Sequence, residues 1–290
     1  MSFAGTHTAL VTPFREGKFD EAAFRALIEA QIAGGITGIV PVGTTGESPT
    51  LDFDEHNRVI QVAVEAAAGR CIVMAGTGSN ATSEAIALTV EAEKLGADAA
   101  LLVAPYYNKP SQEGLYRHFR AIAESVKIPL VLYSIPGRCG IEIAVPTVAR
   151  LAKDCPNIRT IKEAGGSVER ANQLRAALPP DFEILSGDDS LTLPFLSVGA
   201  VGVISVASNL FPAEVSEMVR LWQAGNPSGA QAIHARFHCL FKDLFIEPNP
   251  VPVKFALALR GKMSPEVRLP LCEMSPANAE QVRRTVEALL

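Results

Sequence analysis

Short, almost wholly apolar runs alternate along the chain with stretches in which apolar residues recur every three or four positions. The runs at 8–12, 38–43, 71–76, 99–103, 129–133, 159–162, 182–186 and 200–205 have the length of strands. They lack the two-residue alternation of a half-exposed sheet, as expected where both faces of a parallel sheet are buried. Between them the periodicity is helical. Asp20 stands as a cap before Phe24, Leu27, Ile28 and Ile32, and Gly34-Gly35 closes that stretch. Asp54 opens a second helix with Val59, Ile60, Val62 and Val64. Further helices are expected over about 83–95, 114–126, 146–153, 168–178, 191–198 and 214–222.

Eight strand–helix units in succession predict an α/β fold of the (β/α)8, or TIM-barrel, type. After about Gly225 the pattern is helical only, over 228–245, 253–259 and 276–290. No linker interrupts the chain. The expected division is a catalytic barrel over 1–224 and a helical extension over 225–290.

Composition adds to this mainly by exclusion. The chain has 290 residues, of which 48% are hydrophobic, enough for one large core. Net charge is −5, with no Lys/Arg run and no basic stripe with aromatics, so no nucleic-acid partner is expected. No apolar run is long enough to span a bilayer, so no membrane partner is expected. Residues 1–7 lack a basic segment followed by an apolar one, and cytoplasm is the expected location. The five cysteines are scattered, which argues against a disulfide framework and a structural zinc site. His234 and His238 lie four apart on a helix beside Cys239, but no acidic third ligand has a telling spacing. No metal is expected.

Lys162 changes the picture. It ends the run Ile158-Arg159-Thr160-Ile161-Lys162, just before Gly165-Gly166. A lysine in a buried strand loses its proton easily and becomes a nucleophile for carbonyls, the first step of a Schiff base. In a barrel of this type chemistry sits at the C-terminal strand ends. The other ends read Gly43-Thr44-Thr45-Gly46-Glu47, Ala104-Pro105-Tyr106-Tyr107-Asn108, Tyr133-Ser134-Ile135-Pro136-Gly137-Arg138 and Ser186-Gly187-Asp188-Asp189. Singly, each has a plainer reading: a turn, a packing pair, a core aromatic, an ion pair. Together they offer an amine, hydroxyls that pass protons and a guanidinium that grips a carboxylate. No cofactor is required, because an iminium on Lys162 is itself an electron sink.

These motifs resemble the dihydrodipicolinate synthase family, within the pyruvate-dependent class I aldolase and N-acetylneuraminate lyase group. Ile161-Lys162-Glu163-Ala164 and Glu247-Pro248-Asn249-Pro250 with Pro252-Val253-Lys254 extend the match from about Gly5 to the C-terminus. The resemblance implies condensation of pyruvate with L-aspartate 4-semialdehyde in the diaminopimelate route of lysine biosynthesis. It implies a Schiff base on Lys162 and a proton relay of Tyr133, Thr44 and Tyr107, with Tyr107 reaching in from a neighbouring subunit. Thr45 is implied for the pyruvate carboxylate and Arg138 for that of the semialdehyde. The backbone at Gly187 and Ile204 completes the implied pocket, and the implied assembly is a homotetramer built as a dimer of dimers.

Two other readings share these residues. N-acetylneuraminate lyases and 2-keto-3-deoxy sugar acid aldolases use the same lysine and pyruvate, and arginine at position 138 favours the synthase over them. A non-catalytic sensor of pyruvate or lysine is disfavoured by the three intact hydroxyls. A lysine effector site is implied at Pro49, Phe53, His56, Asn80, Glu84 and Tyr106. Pro49 and Phe53 depart from the pattern that resembles most bacterial members.

Overall fold

The computed structural model describes residues 1–290. Eight parallel strands close into a barrel in chain order: β1 (Gly5–Ala9), β2 (Gly38–Val40), β3 (Ile72–Gly76), β4 (Ala99–Val103), β5 (Leu130–Ser134), β6 (Ile158–Glu163), β7 (Glu183–Ser186) and β8 (Gly202–Ser205), which returns to β1. Around it run α1 (Glu21–Ala33), α2 (Phe53–Ala67), α3 (Thr82–Lys94), α4 (Gln112–Ala123), the single turn α5 (Pro136–Cys139), α6 (Val145–Asp154), α7 (Val168–Ala177), α8 (Thr192–Ser197) and α9 (Pro212–Gln223). Three more helices follow: α10 (Pro227–Asp243), α11 (Val251–Leu259) and α12 (Pro276–Glu287).

Alternation within each strand divides the core into layers. Met74, Leu101, Val131, Tyr133, Leu185 and Val203 turn into the barrel. Their neighbours Leu102, Leu132, Ile161 and Ile184 turn outward, into a second cluster with Phe119, Leu151 and Leu174 of α4, α6 and α7. The inner cluster does not stop at the barrel. It continues through Val215 on α9 to Phe237 and Phe241 on α10, Val253 and Leu257 on α11, and Val286 on α12. Each such side chain, once fully buried, contributes roughly 1.5–3 kcal/mol, so the terminal helices are firmly seated.

Some boundaries differ from the pattern-based expectation. The first strand ends at Ala9 rather than Thr12. Beyond Leu10, whose amide still donates to Val40, the ladder gives way to side chains: Val11 N–H donates to Asn209 Oδ1 and the Thr12 hydroxyl to the Gly46 carbonyl. A two-residue hairpin, Phe14–Arg15 with Lys18–Phe19, follows where none was expected. Helix α2 is capped by Asp52, which accepts from Glu55 N–H, so Asp54 lies in its first turn instead of opening it.

Barrel register sets the level of the site. Val103, Tyr133, Lys162 and Leu185 are direct partners across β4, β5, β6 and β7. They form one ring near the C-terminal mouth.

Candidate active site

Lys162 points into the barrel because Ile161 points out of it. The strand must bury Ile161 under the helices, and the next side chain then falls into the lumen. Glu163, outward again, forms a buried ion pair with Arg170 on α7 (2.8 Å). Beyond it, Gly187 borders the lysine arm. A Cβ at position 187 would stand 2.6 Å from Ala164 Cβ and 3.1 Å from Lys162 Cε, so only glycine leaves the arm its room.

The lysine nitrogen lies 4.1 Å from the centre of the Tyr133 ring. Burial pulls the Lys162 pKa down from 10.5 to about 7, opposed by the Asp189 carboxylate and assisted by Arg138. At neutral pH about half of the side chain is then the free amine, against about one part in three thousand for an ordinary lysine. Tyr133 moves the other way. Burial pushes its phenol up to about 12, with Arg138 and the Thr44 hydroxyl pulling back. It therefore stays a proton donor beside a nucleophile.

Asp189, just past the end of β7, has a role beyond those expected from the sequence. It is buried, and its Oδ2 accepts from the amides of Val206 and Ala207 (2.9 and 3.0 Å). Burial raises the Asp189 carboxyl above the usual carboxylate range, with Ser205 and the two amides pulling it back, and in its ionised form it acts on Lys162. The signal in sequence was two successive acids directly after the strand-end glycine.

The loop after β2 is tightly wound. Gly46 and Ser48 N–H both donate to the Gly43 carbonyl (3.0 and 3.3 Å), and Glu47 N–H donates to Thr44 (3.2 Å). Val42 (φ 49°) and Glu47 (φ 54°) bracket it in left-handed conformations. Such backbone costs a β-branched or charged residue about 1–3 kcal/mol and persists only where its surroundings enforce it.

A cavity of about 230 Å³ opens over this ring, lined by Gly43, Thr44, Tyr106, Tyr133, Arg138 and Cys139 among others. Thus Thr44, Tyr133 and Arg138 come together as expected, while Lys162 is not in the lining itself and lies against the ring of Tyr133, which is. Thr45 does not line this cavity. It is buried, and its hydroxyl accepts from Asn249 on the segment before α11 (2.9 Å). Gly187 and Ile204 are likewise outside the lining. Arg138 is exposed at the mouth on α5, which Gly140 ends in a left-handed turn. Tyr107 departs most from its neighbours. It has φ 73° and its side chain is 90% exposed, directed away from its own cavity. Cys139 and Ser48 were not foreseen as lining residues, and nothing in their local sequence marked them.

A second cavity, of about 170 Å³, adjoins the first through Ser48, Pro49, Gly78 and Tyr106. Of the expected effector residues it gathers Pro49, Phe53, His56, Glu84 and Tyr106. Asn80 stays outside the lining and instead donates to the Tyr106 carbonyl (3.2 Å). His234 and His238 line neither cavity, and a ring nitrogen of His234 lies 2.9 Å from the Ser190 carbonyl.

Comparison with known proteins gives one consistent picture. The sequence pattern of the Dihydrodipicolinate synthetase family matches residues 2–289. A 4-hydroxy-tetrahydrodipicolinate synthase of Nitratidesulfovibrio vulgaris (strain DP4) is 50% identical over 99% of both chains. The solved 4-hydroxy-tetrahydrodipicolinate synthase of Methylacidiphilum fumariolicum SolV superposes with a TM-score of 0.98 at 56% identity, covering 99% of this chain and 96% of that one. The Cyanidioschyzon merolae enzyme, solved with lysine bound, superposes with a TM-score of 0.96 at 44% identity, covering 99% of both. Over its whole length, this chain belongs to the dihydrodipicolinate synthetase family.

Proposed function

We propose that the chain condenses pyruvate with L-aspartate 4-semialdehyde to give 4-hydroxy-tetrahydrodipicolinate, as a lyase of the diaminopimelate route of lysine biosynthesis. The observation that carries this is the buried amine of Lys162 4.1 Å from the centre of the Tyr133 ring, which lines a small cavity with Arg138 at its mouth. Relatives named as this synthase along the full chain support it over a sugar-acid lyase.

The neutral amine attacks C2 of pyruvate. The carbinolamine takes a proton on its oxygen and loses water, leaving an iminium on Lys162. Loss of a proton from C3 gives the enamine, and C3 then bonds to the aldehyde carbon of the semialdehyde. The semialdehyde's own amine attacks the iminium carbon, closes the ring and expels Lys162 unchanged. Tyr133 and Thr44, which line the same cavity, shuttle the protons. Tyr107 joins them from a neighbouring subunit, consistent with its outward side chain and constrained backbone. The assembly is then a homotetramer, a dimer of dimers, working in the cytoplasm. Thr45 holds the pyruvate carboxylate, Arg138 that of the semialdehyde, and the backbone at Gly187 and Ile204 shapes the floor. Residues 225–290 serve as a helical extension seated on the barrel 1–224.

The second cavity is the proposed lysine effector site. His56 and Glu84 line it together with the aromatic residues Phe53 and Tyr106, and an aromatic face over an ammonium stabilises it. Ser48, Pro49 and Tyr106 border both cavities, so an occupant of one touches the wall of the other.

Borohydride reduction in the presence of pyruvate tests the catalytic reading. Peptide mass mapping should place the adduct on Lys162, and adding L-aspartate 4-semialdehyde should discharge it with formation of a cyclic product. An adduct that the semialdehyde leaves untouched points to a sugar-acid lyase. No adduct on Lys162 removes the Schiff base and leaves the sensor.

A further inference from the structure

The helical extension reaches into the catalytic loop at two places, and one contact has a direction. Asn249 is buried. Its Nδ2 donates to Oγ1 of Thr45 at 2.9 Å, while its Oδ1 has no partner. A hydroxyl is both donor and acceptor, and its proton turns to suit its surroundings. Thr45 already accepts an N–H, and no acceptor in the chain takes its own proton. The hydroxyl is thereby left as a donor, which is what a bound carboxylate requires.

The second contact holds the first in place. Two residues beyond Thr45, the Glu47 Oε1 meets Lys254 Nζ of α11 at 2.5 Å, with both side chains fully buried. The other oxygen, Oε2, accepts from Arg268 N–H (3.0 Å). Glu47 is also the residue held at φ 54°. The loop is therefore clamped from residues 249, 254 and 268, more than two hundred positions away in sequence.

We propose that Asn249 is a positioning residue for pyruvate. It acts through Thr45, fixing that hydroxyl as a donor to the substrate carboxylate, and the Glu47–Lys254 pair sets the distance between extension and loop. This rests on the proposed Schiff-base reaction and on pyruvate as its first substrate.

A double-mutant cycle tests it, with Thr45→Val, Asn249→Ala and the pair, assayed for KM of each substrate, kcat and borohydride trapping. Asn249→Ala should raise the pyruvate KM roughly five- to tenfold, the effect of one lost hydrogen bond. The semialdehyde KM should stay within about twofold. The double variant should be no worse than Thr45→Val, because Asn249 has nothing to act through once the hydroxyl is gone. Additive effects, or a loss carried by kcat or by the semialdehyde KM, overturn the proposal.

Asn249→Asp, nearly isosteric, decides the matter should Asn249→Ala not fold. Its carboxylate takes the Thr45 proton and repels the substrate, so the pyruvate KM relative to wild type at the same pH should be raised at neutral pH and fall towards acid. A ratio that does not change with pH overturns the proposal. Failure of the wild-type protein to trap pyruvate on Lys162 overturns the underlying reaction as well. Normal trapping with an unchanged KM in both Asn249 variants overturns the positioning role alone.

Discussion

Lys162 holds its amine 4.1 Å from the centre of the Tyr133 ring, directly across from it in the parallel register of β5 and β6. The same apolar lumen acts on both groups in opposite senses, towards a free amine and a retained phenol. Reaction rate and stability both inherit this arrangement.

The first consequence is a pH dependence. Imine formation needs the free amine, so kcat/KM for pyruvate should climb through a pKa near 7. Stability follows with a determined sign. Unfolded Lys162 keeps its proton up to about 10.5, whereas the folded side chain has lost it above about 7. Within that window the unfolded state binds more protons, and stability rises with pH. Relative to Lys162→Met, the wild type should therefore gain in denaturant midpoint between pH 7 and 10. A constant difference across that range would contradict the buried amine.

Substituting Arg138 should separate the two substrates. It is exposed on α5, so Arg138→Leu should leave the melting temperature unchanged. A charge-assisted contact contributes about 1.5–3 kcal/mol. The semialdehyde KM should thus rise roughly ten- to a hundredfold, while pyruvate still traps on Lys162. Steady-state kinetics with both substrates varied reads this directly.

The buried pair under the catalytic loop should behave asymmetrically. Lys254→Met strands the Glu47 carboxylate in a site with no water access and should cost about 3–5 kcal/mol. Glu47→Gln together with Lys254→Met removes both charges and should recover most of that. Chemical denaturation of the wild type, the single variant and the double variant measures it. Equal losses in the single and double variants would show that packing, not charge, holds the loop.

Lysine should slow the reaction at millimolar concentration through the second cavity. Glu84→Gln removes the carboxylate there and should weaken inhibition about tenfold without moving the pyruvate KM. Initial rates against lysine in both proteins provide the comparison, and a wild-type rate insensitive to lysine ends this reading.

Much of this was legible in the chain because barrel strands are short, apolar and regularly spaced. The positions of Lys162, Tyr133, Thr44 and Arg138 were visible because strand ends fall at predictable places in such a barrel. What escaped detection depended on partners distant in sequence. The ladder of β1 stops at Ala9 because Asn209, two hundred residues on, takes over the Val11 amide. Asp52 outcompetes Asp54 as a cap through local backbone conformation, which composition does not reveal. Thr45 was expected against substrate alone, and its bond to Asn249 emerges only once α11 is folded onto the barrel.

The single turn α5 has a further meaning. Lys162 and Tyr133 belong to the sheet, paired across β5 and β6. Arg138 belongs to a short appendage between Ile135 and the left-handed Gly140, outside that register. On the proposed reaction, the group assigned to the aldehyde thus sits on a segment outside the sheet that carries the amine, although its charge still reaches Lys162. Under that reading, changes confined to residues 135–140 should alter the acceptor more than the trapping of pyruvate.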